Sequence, residues 1–96
     1  MNKLEISRHA NTRMSQRGIN YEIVDTIFNF GKKKRSGKDF IYYLPSSKAA
    51  HLTGKSSALS NNQKRIIDKS KGKSCVVSEN GTLITVMHLI KNQRLH

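Results

Sequence analysis

The feature that most constrains this chain lies near its end, where Cys75-Val76-Val77 and Leu83-Ile84-Thr85-Val86-Met87 flank Glu79-Asn80-Gly81-Thr82. Two β-branched runs around an Asn-Gly pair predict a hairpin, with Asn80 and Gly81 in the two positive-φ positions of a type I′ turn. A two-residue loop sets the register. Val77 falls opposite Ile84 and Cys75 opposite Val86 on one face, and Val76 falls opposite Thr85 on the other.

Upstream, Ser7 is placed to cap a helix over about residues 8–17, with Ile6 outside it as half of a hydrophobic staple and Gly18 ending it in a left-handed conformation. Asn20 caps a second helix, on which Ile23, Val24, Ile27, Phe28 and Phe30 share an arc of about 160°, and Gly31 stops it. This is the principal core helix. Phe40-Ile41-Tyr42-Tyr43-Leu44, ended by Pro45, reads as a strand. Ser36-Gly37-Lys38-Asp39 then forms the turn of a hairpin whose first strand holds Lys32-Lys33-Lys34-Arg35. Residues 46–60 are ambiguous: Ser46 and Ser47 suit a short helix through Lys48, Ala49, Ala50 and Leu52, but Gly54 and the later serines favour loop. A third helix is expected over 61–71, with Ile66 and Ile67 inward and Gly72 at its end.

The order is helix, helix, hairpin, mixed segment, helix, hairpin, with no internal repeat and no dividing linker. Residues 1–96 therefore form one α+β domain. A chain this short buries only roughly 60–68% of the surface its unfolded form exposes, so its core is one layer of helix against one small sheet.

Eighteen Lys and Arg face six Asp and Glu, a formal charge of +12. The excess is uneven, since residues 1–31 carry a net charge of +1 and residues 32–96 a net of +11. So large an imbalance costs self-repulsion unless an anion offsets it, which points to a polyanionic partner, RNA first. Lys32, Lys33, Lys34, Arg35, Lys38, Lys64, Arg65, Lys69, Lys71 and Lys73 are the candidate nucleic-acid contacts. No stretch is both helical in period and strongly apolar, so a membrane partner is not expected. Cys75 is the only cysteine, in an apolar run, and reads as a buried strand residue. No Cys/His cluster has zinc spacing, and no metal or cofactor is expected. A reducing, cytoplasmic setting follows from the lone thiol and from the absence of an apolar leader.

Histidine is the side chain whose unperturbed pKa lies near neutrality. Of His9, His51, His88 and His96, the first and third lie on elements expected to be ordered. On a helical wheel His9, Arg13 and Arg17 stand at about 0°, 40° and 80°, one strip of a helix whose plainly inward residues are only Ala10 and Met14. Metal-free RNA cleavage needs a base for the 2′-OH proton, an acid for the departing 5′ oxygen and a cation beside the phosphorus. Histidine and arginine can supply all three. The strip is equally compatible with a solvated face, on which Arg13 covers apolar surface with its methylenes.

Ser7-Arg8-His9-Ala10, Arg13-Met14 and Gln16-Arg17-Gly18-Ile19 resemble the opening of a small bacterial domain family met among mobile elements and toxin–antitoxin neighbourhoods and related to RelE- and ParE-type toxins. Cys75-Val76-Val77, Asn80-Gly81 and Ile84-Thr85-Val86 are similar to its closing hairpin. The two blocks cover about a third of the chain. The resemblance implies N-terminal helices packed on a small curved antiparallel sheet, RelE/barnase-like. It also carries over His9, Arg13, Arg17 and Thr85 as candidate catalytic residues. His88 joins them on the chemistry of its side chain alone, although simple strand alternation places it with Ile84 and Val86, away from Thr85, unless a bulge re-aims it.

Three functions remain open from the sequence. The first is a metal-independent endoribonuclease cleaving by 2′-OH attack, as the toxin of a toxin–antitoxin pair. The second is a non-catalytic nucleic-acid-binding module. The third is a basic regulatory protein with an acidic, antitoxin-like protein partner.

Overall fold

The computed structural model of the chain describes residues 4–88. Strand β1 (Glu5–Ile6) leads into helix α1 (Arg8–Arg17), and Ser7 makes the junction. Extended backbone at Ser7 lets its Oγ accept the Ala10 N–H at 3.0 Å, satisfying a donor that the helix itself cannot. The same hydroxyl donates to the Ile84 carbonyl at 3.2 Å. One side chain thus starts a helix and fastens that start to a strand from the far end of the chain. Gly18 closes α1 at φ 63°, as its position predicts. Ile6, expected as half of a staple, instead lies in β1 and is 38% exposed.

Helix α2 (Tyr21–Phe30) begins at Asn20, whose side chain accepts the Ile23 N–H at 3.0 Å, and buries Ile23, Val24 and Ile27. Gly31 ends it in extended backbone, not in a left-handed turn. The glycine is required by proximity: a Cβ there would stand 2.5 Å from the Ile27 carbonyl oxygen and 2.6 Å from that of Tyr43. The chain passes directly into β2 (Lys32–Ser36), which pairs antiparallel with β3 (Asp39–Tyr43). Gly37 takes the positive φ, 61°, at the first central position of the two-residue turn, the type II′ pattern.

The ambiguous middle segment contains a helix, α3 (Ser46–Thr53), with Pro45 at its start, Ala49 buried and Gly54 at its end. The helix expected over 61–71 is therefore the fourth, α4 (Asn61–Ser70). Ser60 and Gln63 form a capping box at its start, and Ile67 is fully inward while Ile66 is half-buried.

Strands β4 (Lys73–Val77) and β5 (Thr82–His88) complete one sheet in the order β1-β5-β4-β3-β2. The sheet is mixed, which corrects the expectation of an antiparallel one: β1 runs parallel to β5, Glu5 beside Thr82 and Ile6 beside Leu83. That pairing arises because the chain enters α1 along the β5 edge before returning.

The closing hairpin also departs from expectation. Cys75 faces Val86 and Val76 faces Thr85, but Val77 faces Leu83, not Ile84. Only Gly81 has positive φ in this loop, 87°, so Asn80-Gly81 is not a type I′ turn. The Gly81 N–H meets the Ser78 carbonyl at 3.0 Å, and the Ser78 N–H meets the Thr82 carbonyl at 2.9 Å. These bonds and φ signs describe a type I turn closed by a glycine bulge, a three-residue loop. Its extra residue shifts the register by one, and a bulge at Ile84 shifts it back. Leu83, not Ile84, is consequently the fully buried residue.

Directly opposed residues share a face of the sheet. The rows Lys33-Tyr42-Cys75-Val86 and Arg35-Phe40-Val77-Leu83 look toward the helices, where Phe28 of α2 meets Tyr42 with ring centroids 4.8 Å apart. The rows Lys34-Ile41-Val76-Thr85 and Lys32-Tyr43-Ser74-Met87 look the other way. Among the described residues no helix covers that second face: α1 lies over β5 and α2 over β3 and β4 on the first face, and α4 and α3 are stacked behind α2.

Cys75 is fully buried between Tyr42 and Val86, and burial pushes its thiol from the ordinary 9.0 up to about 12. Burial, then the neighbouring Cys75, raises the Tyr42 hydroxyl as well.

Two outcomes are expected. Ser7→Ala should lose about 1–2 kcal/mol in denaturant unfolding, and Ser7→Asp should recover only part of it, because a carboxylate accepts at the cap but cannot donate to Ile84. An alanine variant as stable as the parent would refute this account. For Cys75, the raised folded value means that the native state holds its proton longer than the unfolded chain does. Its contribution is therefore complete below pH about 9 and lost as pH rises toward about 12. Cys75→Val should flatten the fall of stability with pH across that window.

Candidate nucleic-acid interface

The basic run forms β2, an edge strand with one side of its backbone unpaired. Lysines on such an edge discourage strand addition by another chain, so part of their presence is explained without any ligand. Alternation divides them. Lys33 and Arg35 lie over the Phe40 ring, at 4.8 and 5.3 Å from its centroid. Arg35 is engaged further, its Nη2 on Glu79 Oε1 at 3.1 Å and its Nε on the Gly37 carbonyl. Lys32 and Lys34 project from the helix-free face, where no acidic residue stands in either of their rows.

The other predicted cations are scattered. Lys38 sits in the β2–β3 turn, beside an open groove that also takes in Asp39, Ser78 and Thr82. On α4, Arg65 and Lys69 are exposed and Lys64 is half-buried. Lys71 pairs with Asp68 at 3.1 Å in solvent, and the Lys73 ammonium donates to the Lys69 carbonyl. Exposed pairs of this kind contribute little to stability, so they leave the cations available to a stronger anion.

Helix α1 brings His9 and Arg13 together. Arg13 Nε donates to His9 Nε2 at 3.4 Å, and Arg13 Nη1 donates to Gln16 Oε1 at 3.3 Å. That bond uses the lone pair of His9 Nε2, so a substrate proton would have to displace the guanidinium to reach it. His9 and Arg17 are exposed and Arg13 is half-buried. His88 pairs with Lys73 on the helix-facing side, and its Nε2 lies 3.2 Å from the Arg17 carbonyl oxygen. The bulge at Ile84 precedes Thr85 and so does not re-aim His88. Thr85 itself belongs to the opposite face. The five predicted catalytic residues thus divide into a His9/Arg13 pair, a His88/Arg17 contact at the other end of the same helix, and a separate Thr85. His51 is exposed on α3, and His96 lies outside the described residues.

The sequence pattern did not single out Tyr43, Ile41, Val76 or Met87, which are half-buried on the helix-free face. Both alternating halves of Phe40-Ile41-Tyr42-Tyr43 are apolar, so periodicity could not tell which half the helices cover. No group of three His, Cys, Asp or Glu able to hold a metal ion occurs among the described residues. Nor is any helix among them long and apolar enough to cross a membrane. The chain matches no protein-family model, no curated protein and no solved structure.

His9→Ala should leave stability within about 0.5 kcal/mol of the parent, because an exposed side chain whose contacts stay within its own helix is removed. A thermal melt checks this, and a large loss would mean that His9 serves the fold.

Proposed function

We infer that this domain binds RNA, with the phosphate backbone running along the basic edge strand. The observation that carries the reading is β2 itself: Lys32, Lys33 and Lys34 are consecutive on a solvent-facing edge, and none of the three has an acidic partner among the ion pairs of the described residues. The net charge of +12 adds long-range attraction for a polyanion. Lysine contacts to phosphate position a nucleic acid without reading its sequence. The domain has an α+β architecture with helices on one face of a small mixed sheet, and the RelE/barnase-like fold that its terminal segments suggest, together with a cytoplasmic setting, is part of this proposal.

A second reading adds cleavage, favoured by the contact between His9 and Arg13 within the segment that resembles the toxin-related family. In that reading His9 takes the 2′-OH proton and Arg13 steadies the phosphate. The 2′ oxygen bonds to phosphorus as the bond from phosphorus to the 5′ oxygen breaks, that oxygen takes a proton from the His9 imidazolium or from water and leaves as a hydroxyl, and the other product carries a 2′,3′-cyclic phosphate. An acidic antitoxin-like protein would then compete with RNA for the same cations.

Replacing Lys32, Lys33 and Lys34 together by alanine should reduce the slope of log affinity against log salt by about 2 on single strands and 2–3 on duplex. Unchanged slope and affinity in a folded variant would make the run a solvated edge and remove the RNA-binding reading. Cleavage is tested separately: His9→Ala should lower it roughly 10²–10⁴-fold while binding shifts little. A parent protein that binds RNA without turnover would leave the domain a binding module.

A further inference from the structure

The helix-free face of the sheet carries two rows that each begin with an ammonium at the β2 edge. One continues through Ile41, Val76 and Thr85, the other through Tyr43, Ser74 and Met87. Ile41, Tyr43, Val76, Thr85 and Met87 keep part of their surface in solvent, whereas Cys75, Val77, Leu83 and Val86 on the other face are buried. Ser74 is sunk between Tyr43 and Met87 with its hydroxyl toward the Met87 carbonyl, so the row is flat at its centre. Acidic groups stand beyond these rows: Asp39 opposite Ser36 at the turn, Glu5 opposite Thr82 at the β1 edge, and Glu79 held by Arg35.

An occupant complementary to this face is apolar and flat where it meets the platform and anionic along the side facing β2. Unpaired nucleotides have that form, since each base offers a π-face and each phosphate a charge. A duplex does not, because its bases are stacked on one another and only its backbone and groove edges are exposed. We propose that this face is the seat of single-stranded RNA, with bases lying on Tyr43 and its aliphatic neighbours and phosphates passing Lys32 and Lys34. The proposal rests on the RNA-binding reading and narrows it to unpaired RNA. Lys32 and Lys34 are two residues apart on one strand, about 6.5–7 Å, an interval that lets them meet successive phosphates of an extended chain. Recognition by stacking tolerates any base, so weak sequence preference follows.

The test uses a short single-stranded RNA carrying one 2-aminopurine, the same RNA annealed to its complement, and the full chain with its variants. Binding of the single strand should quench 2-aminopurine fluorescence. Tyr43→Leu should lower the ratio of single-strand to duplex affinity by about 10-fold, and Tyr43→Phe, which keeps the ring, should hold it within about 2-fold of the parent. Thr85→Glu probes the same face without touching the aromatic ring, and its carboxylate should weaken single-strand binding by repelling phosphate. Melting curves establish that each variant is folded. If Tyr43→Leu and Thr85→Glu both fold and both keep the parental ratio while the β2 alanine variant still binds weakly, the platform is overturned and the RNA-binding reading stands. If the parent binds neither form at low salt, both fall together, and an acidic protein becomes the occupant to seek.

Discussion

A single hydroxyl group holds the two ends of this domain in one arrangement. Ser7 Oγ accepts from the first turn of α1 and donates to the Ile84 carbonyl, at the bulge of β5. β1, α1, β5 and the closing turn are all referred to that point. Beside it, the Glu5 N–H bonds the Gly81 carbonyl and the Ser7 N–H bonds the Leu83 carbonyl, pairing β1 with β5 in parallel, and Ala10 and Met14 of α1 are buried. Two residues of strand would be a weak element alone. Tied through Ser7 and backed by the helix that it starts, the pairing becomes the N-terminal anchor of the fold.

The same geometry distributes the charge. Helices occupy one face, so the alternating side chains of β2 meet two different surroundings. Lys33 and Arg35 cover the rim of Phe40, where their charge is partly spent on an aromatic ring and on Glu79. Lys32 and Lys34 stand at the margin of a sheet surface that no helix among the described residues covers. A run that looks uniform in sequence is therefore two pairs in different surroundings. The α1 strip has a different character: His9 and Arg13 are in contact, but His9 is exposed and Arg13 half-buried, so water reaches the pair.

Much of the local structure was legible in the chain. Ser7, Gly18 and Asn20 mark helix ends by chemistry that acts within three or four residues, and the structure places them at those ends. The basic strand and its turn at Gly37 were legible for the same reason. The closing loop was less so: Asn-Gly suits a two-residue turn, but a type I turn with Gly81 as the bulge residue is also open to it, and the Ser7–Ile84 contact favours the register with the extra residue on β5. For the candidate site, the cations and the histidines could be named from their chemistry. The separation of Thr85 from His88 followed from alternation, but the meeting of His88 with the Arg17 carbonyl could not, because those residues are far apart in the chain.

By itself, then, the sequence determined the identity and ends of most elements, the large positive charge, and the burial of a lone thiol. Those properties come from side-chain chemistry and from interactions between near neighbours. Only the tertiary structure decided that β1 joins β5 in parallel, that α3 forms, that Leu83 displaces Ile84 from the core, and that one face of an apolar strand is covered by no helix among the described residues. The physical reason is common to all four. Each depends on which distant surface arrives to bury a residue or accept a hydrogen bond, and alternation along a strand is the same whichever face that surface takes.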